Sequence, residues 1–229
     1  MRWDTLREIG AVNGVDVPEH GVALGSFEAF FAQNDLVRAC LRRPGDFRRV
    51  AYEFCEDEAA QGTRYAEVSF TAAGHGERLG DLGMPLAAVL EGLEAGQEAF
   101  GIECRLLLDH SRRRSVERAR RTLDLARRHD RVIAIGLAGD ESHPGDPFDE
   151  VFAAARDAGL HVVHHAGEGE GPSRIRHALA TEYARVRDAF GYGDTVLAEL
   201  ARAGVDASFA PTETKTRLRG EINTWLAGP

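Results

Sequence analysis

The stretch "HVVHHAGEGEGP" (161–172) places two valines and two adjacent histidines ahead of a glycine-rich, acidic loop. Its first part, "HVVHHAG", has the short apolar run of a buried β-strand. Three similar runs precede it: "RYAEVSF" (64–70), "IECRLLLDH" (102–110) and "VIAIGLAG" (132–139). The strand starts are about 30 residues apart, which is typical of βαβ units. We therefore predict a parallel sheet with strands at 64–70, 102–110, 132–139 and 161–167.

Amphipathic helical patterns fill the segments between these strands: "PLAAVLEGLEAGQEAF" (85–100), "SVERARRTLDLARR" (115–128) and "PFDEVFAAARDAG" (147–159). Pro85 and Pro147 stand where a first helical turn is expected, and Gly159 stands where a helix should stop. Alternating strands and helices fit two architectures, a (β/α)8 barrel and a doubly wound open sheet.

The domain organisation follows from length and pattern. The chain has 229 residues with 43% hydrophobic content, enough for the core of one domain. We predict a single domain over 1–229, with a helical part at 1–63, a β/α core at 64–180 and C-terminal helices at 181–229.

Charge and composition exclude several classes of partner. The net charge of −9 disfavours nucleic acid, because an acidic surface repels phosphates. No apolar run approaches the ~20 residues that a membrane span needs, and the polar start "MRWDTLREIG" is unlike a signal peptide. Three widely spaced cysteines, without a CxxC pair, predict reduced thiols in a cytoplasmic protein: Cys40, Cys55 and Cys104.

The segment "HHAGE" carries the sharpest chemical signal. Because side chains alternate along a strand, His164 and His165 should point to opposite sides of the sheet. Gly167 lets the chain turn, so that His165 and Glu168 could supply a metal ligand and a general acid/base. The alternative is a buried histidine bonded to a backbone carbonyl, with Glu168 in solvent. Glu168 and Glu170 would repel a phosphate, so a neutral ligand fits this loop better.

Three stretches resemble the adenosine deaminase family of zinc aminohydrolases: "HHAGEGEGPSRIRHAL" (164–179), "IGLAGDES" (135–142) and "DFRRVAYEFCEDEAAQGTRYAEVSF" (46–70). The resemblance implies a TIM barrel that uses a zinc-activated water to remove the 6-amino group of a small purine nucleoside. Adenosine and aminodeoxyfutalosine both fit as substrates. By the same resemblance His165 is a zinc ligand, Glu168 transfers the proton at purine N1, and the backbone of Gly139 approaches the purine ring.

The chain also departs from the family pattern. The family's H-x-H pair on the first strand, its G-H-G histidine on the sixth and its aspartate pair on the eighth have no recognised counterpart. We therefore expect an incomplete barrel, shortened at its N-terminus and lacking the region of the sixth to eighth strands, with all but one of the zinc ligands missing.

Two further interpretations stay open. A catalytically impaired remnant would act as a structural module, because open sheet edges invite homo-oligomers. An unrelated doubly wound binding protein would need a phosphate loop after the first strand. The glycines of "SFTAAGHGERLGDLG" (69–83) do not fit that motif.

Overall fold

A computed structural model describes residues 1–21, 27–61, 63, 65–166, 187, 190–207 and 212–228. The chain divides into two compact units, Met1–His165 and Ala166–Pro229. Each is described by itself.

The first unit alternates helices and strands after an all-helical start. Its helices are α1 (Trp3–Asn13), α2 (Phe27–Cys40), α3 (Pro44–Ala60), α4 (Ala72–Leu79), α5 (Met84–Phe100), α6 (Val116–Ala126) and α7 (Asp149–Asp157). Its strands are β1 (Tyr65–Phe70), β2 (Glu103–Ser111), β3 (Val132–Ala138) and β4 (His161–His164). A short 3-10 turn, Asp146–Phe148, precedes α7.

The strands form one parallel sheet in the order β1-β2-β3-β4. The apolar residues of the central strands that face the helices are at most 2% exposed: Leu106, Leu108, Ile135 and Leu137. Burying these side chains against the helices is the main stabilising contribution to the sheet. The predicted parallel α/β fold is confirmed. The sheet seen in the described residues has half of the eight strands that close a barrel.

Two local features differ from the predictions. Strand β4 ends at His164, before the predicted end at 167. The second difference is the helix α4, which was not predicted from the sequence because Gly74 and Gly76 are unfavourable inside a helix. This helix forms because Ala72 and Ala73 are buried, while Gly76 lies so close to the following turn that a Cβ would come within 2.6 Å of the Leu82 backbone.

The N-terminal helices are joined by a buried polar centre at Asp46. Its carboxylate accepts hydrogen bonds from the Asn13 side chain at 2.7 Å and from the backbone N–H groups of Arg42 and Arg43 at 3.0 and 2.8 Å. The carboxylate thus satisfies two backbone N–H groups at the start of α3, as a capping carboxylate does, and the bond from Asn13 ties α1 to this helix.

Helices α3 and α5 approach each other closely through two glycines. A Cβ on Gly92 would lie 2.3 Å from the Arg48 carbonyl oxygen, and one on Gly96 would lie 2.5 Å from the Cys55 Cβ. The Cys55 and Cys104 sulfurs are 3.7 Å apart, and Cys40, Cys55 and Cys104 are all buried free cysteines.

His75 is buried in an aromatic cluster on the helix side of the sheet. Its ring stacks on Phe70, with centroids 5.5 Å apart, and meets Phe47 edge-on at 5.1 Å. Burial, with help from Arg78 and Arg38, lowers the pKa of His75 to about 4. The side chain is therefore a neutral part of the core at pH 7.

The second unit contains α8 (Asp194–Ala207) and α9 (Thr212–Ala227). The Arg202 guanidinium donates to the Asn223 side-chain oxygen at 2.7 Å, and Lys215 Nζ donates to the Asp206 carbonyl at 2.9 Å. These bonds join the two helices. Throughout the described part of the chain, no helix has the length and apolar character needed to cross a membrane.

We expect Gly92→Ala to destabilise the first unit by about 1–3 kcal/mol, because the new methyl overlaps the α3 backbone and forces the helices apart. Urea denaturation followed by circular dichroism measures the change. Gly220→Ala on α9 is the matched control, since a Cβ there meets nothing within 4 Å. The control should be neutral or gain up to about 1 kcal/mol from helix propensity. Equal effects of the two substitutions would contradict the close packing of α3 and α5.

We expect His75 to make the folded state less stable in acid. Its pKa is about 4 when folded, against about 6.5 for an unfolded histidine, so between these values the unfolded chain binds the extra proton. Its contribution to stability is complete above pH 6.5 and is lost as the pH falls towards 4, by up to about 3 kcal/mol. Between pH 6.5 and 4, the free energy of unfolding of His75→Phe should therefore fall less than that of the unmodified chain. If both proteins lose the same stability over this range, His75 is not responsible.

Candidate functional site

The carboxyl ends of β2, β3 and β4 meet at one edge of the sheet, where Asp109 and His165 come together. Parallel pairing brings this about, because it sets Asp109 opposite Gly136 and Leu137 opposite His164. His165 follows β4 directly, and its N–H donates to the Leu137 carbonyl at 2.9 Å, so the pairing continues one residue past the strand. The His165 Nδ1 and Asp109 Oδ1 atoms are 4.0 Å apart.

His164 and His165 lie on opposite sides of the sheet. The His164 ring meets Phe152 of α7 edge-on, with centroids 4.4 Å apart, so it packs under the helical layer. His165 lies on the other side, beside Asp109. This placement agrees with the alternation expected from the sequence. The role of His165 as a metal ligand stays a prediction.

Arg112 holds the backbone of His165 in place. Its guanidinium donates to the His165 carbonyl at 2.7 Å, and its own N–H donates to the Ala138 carbonyl at 2.9 Å. Arg112 is only 6% exposed, so this hydrogen bond is shielded from water and charge-assisted. Arg112 was not predicted from the sequence, because a run of three arginines after a strand resembles an ordinary solvated loop.

Asp109 occupies space that exists because residue 136 is glycine. A Cβ at Gly136 would lie 2.0 Å from Asp109 Oδ1 and 2.6 Å from the Val163 carbonyl oxygen. Asp109 is 9% exposed. The signal in the sequence was a glycine inside an otherwise apolar strand, which often marks a close approach of another group.

Gly139 follows β3 directly and has a φ of +92°, a left-handed conformation that favours glycine. Next to it, Asp140 forms an ion pair with Arg113 at 2.7 Å and accepts a hydrogen bond from the Ser142 N–H at 3.0 Å. The Arg113 contact holds the pKa of Asp140 well below its usual range. Gly139 as a purine contact stays a prediction.

The other histidines near this edge do not join His165. His110 is 6% exposed, and its ring tilts against Phe148 at a centroid distance of 5.3 Å. Burial lowers the pKa of His110. The triplet Gly74-His75-Gly76 lies on α4, where His75 packs between phenylalanines.

The donors that the described residues bring to this edge are fewer than a catalytic zinc site needs. A catalytic zinc takes about three protein ligands and a water. Among the residues that the structure describes, no group of three histidine, cysteine, aspartate or glutamate side chains could hold a metal ion. His165 and Asp109 offer one nitrogen and one carboxylate donor, and Glu168 lies outside the described residues.

Comparisons with known proteins identify the family. The adenosine deaminase family model matches residues 1–181. The chain is 35% identical to an adenosine deaminase from Vibrio cholerae over 196 residues, covering 78% of this chain and 58% of that protein. It is 34% identical to an adenine deaminase from Streptomyces coelicolor over 180 residues, covering 75% and 53%. The chain therefore spans little more than half the length of these relatives.

The fold agrees with that of solved structures. An amidohydrolase from Burkholderia ambifaria, solved with bound zinc, superposes with a TM-score of 0.68 at 21% identity, covering 99% of this chain and 87% of that one. Since the family match extends over most of its residues, this chain belongs to the adenosine deaminase family.

Proposed function

We propose that this chain supports the hydrolytic deamination of an adenine nucleoside, with His165, Glu168 and Gly139 at the site. The reaction replaces the 6-amino group with an oxygen from water and releases ammonia. The observation that carries the proposal is the position of His165 at the carboxyl edge of a parallel sheet, on the side away from the helices. Active sites of this architecture lie at that edge.

The partial exposure of His165 supports its proposed role as a nitrogen donor. Its side chain is 39% exposed, although Nδ1 is buried and has no hydrogen-bond partner among the described residues. Nε2 is not among the buried side-chain atoms without a partner, so it is the nitrogen that we assign as the donor. This nitrogen can accept a hydrogen bond, bind a proton or donate its electron pair to a metal.

Glu168 is proposed as the proton-transferring group. A carboxyl group can protonate purine N1 while water adds at C6, and the resulting carboxylate can accept a proton from the adding water. Because the described residues supply fewer donors than a zinc site needs, we assign no step to a metal.

The backbone at Gly139 is proposed to lie against the purine ring. Its φ of +92° disfavours any other residue, and a Cβ there would lie 3.5 Å from the Ser111 hydroxyl oxygen. Glycine thus adds no side chain of its own at the carboxyl ends of β2 and β3. Adenosine is the default substrate, aminodeoxyfutalosine carries the same adenine group, and the adenine deaminase relative adds free adenine to the compounds worth testing.

We expect the chain to release ammonia from at least one of these three compounds, more slowly than a family member of full length. Glu168→Gln should lower this rate by about 100-fold or more, which is the usual minimum for losing a general acid/base. Ammonia release, measured with and without added zinc, tests the prediction. Glu170→Gln is the matched control, because it removes a carboxylate from the same acidic stretch of sequence.

Two results would contradict the proposal. Equal rates for Glu168→Gln and Glu170→Gln would remove Glu168 from the chemistry. No release above the Glu168→Gln background for any compound would favour the structural module over the enzyme. Metal analysis of the purified chain should find well under one zinc per molecule, since two donors hold zinc weakly.

A further inference from the structure

The main chain of His165 is fixed on both sides of its Cα atom. Its N–H donates to the Leu137 carbonyl at 2.9 Å, and its carbonyl accepts from the buried Arg112 guanidinium at 2.7 Å. With both peptide groups held, the ring can rotate only about its side-chain bonds. The surroundings of the two ring nitrogens therefore decide which of them carries the proton.

The two ring nitrogens lie in different surroundings. Nδ1 is inaccessible to solvent, has no hydrogen-bond partner among the described residues and lies 4.0 Å from Asp109 Oδ1. The side chain as a whole is 39% exposed, and Nε2 is not among the buried atoms without a partner. A neutral histidine carries one proton, on either nitrogen, and the neighbours of each nitrogen set which one it is.

The carboxylate of Asp109 favours the proton on Nδ1. If Nδ1 were bare, its lone pair would face a negative charge at 4.0 Å in a buried position. With a proton on Nδ1, the N–H dipole points at that charge instead. The distance is about 1 Å longer than a hydrogen bond, so the effect is mainly electrostatic. Gly136 keeps the carboxylate close, because any side chain there would displace it.

We propose that Asp109 is a positioning residue that holds the proton of His165 on Nδ1 and so leaves the electron pair of Nε2 free. The purpose of this arrangement rests on the proposed function, in which His165 is a nitrogen donor. Carboxylates behind histidines commonly fix the ring and its tautomer in this way.

Long-range proton–nitrogen correlation spectra of the ¹⁵N-histidine-labelled chain report the tautomer directly. They are recorded at pH 8.5, where an ordinary imidazole is neutral. The signals of His165 are those absent in His165→Gln. We expect an N–H signal at Nδ1 and a bare-nitrogen signal at Nε2 in the unmodified chain.

Removal of the carboxylate should reverse this preference. In Asp109→Ala the ratio of the two tautomers should move by about tenfold or more towards the Nε2–H form. Asp140→Ala is the matched control, because Asp140 lies 3.8 Å from His143 Nδ1 and should leave His165 unchanged. An Nε2–H form in the unmodified chain overturns the proposal, and so does an unchanged ratio in Asp109→Ala.

If Asp109→Ala does not fold, the tautomer of His165 in the unmodified chain is sufficient to test the proposal. The test is also separate from the proposed function, because it measures no turnover. An inactive chain with the Nδ1–H form leaves the role of Asp109 standing. An active chain with the Nε2–H form overturns that role and leaves the deaminase proposal intact.

Discussion

The parallel pairing of β2 with β3 is the constraint on which the candidate site depends. Its register sets Asp109 opposite Gly136. Because Gly136 has no side chain, the Asp109 carboxylate can occupy the space beside it. Pairing of β3 with β4 then brings His165 to the same edge through the Leu137 carbonyl. A shift of one residue would turn every side chain to the opposite face and separate the two groups.

Burial divides the histidines of the first unit into two kinds. His75, His110 and His164 each pack against phenylalanine rings, and burial lowers the pKa of the first two. A neutral imidazole enclosed by aromatic side chains serves as part of the core, because ionising it there would cost the hydration of its charge. His165 has no such enclosure. It is held by its backbone while its side chain stays partly exposed to solvent.

The family match concerns the fold of this chain, whereas a metal site depends on a few particular side chains. The family match covers residues 1–181, and the fold is similar to that of solved structures. A metal site depends instead on several side chains from distant strands. Among the described residues, His165 and Asp109 are the two donors that lie together at that edge, and no group of three could hold a metal ion.

Local pattern in the sequence by itself determined the parallel strands, the helices between them, the family and the opposite facing of His164 and His165. These follow from periodicity and motif, which are properties of neighbouring residues. Tertiary structure alone decided that Arg112 binds the His165 carbonyl, that Asp109 rests on Gly136, and that α4 is a helix despite its glycines. Each depends on groups far apart in the chain, whose approach is set by strand register and packing rather than by local pattern.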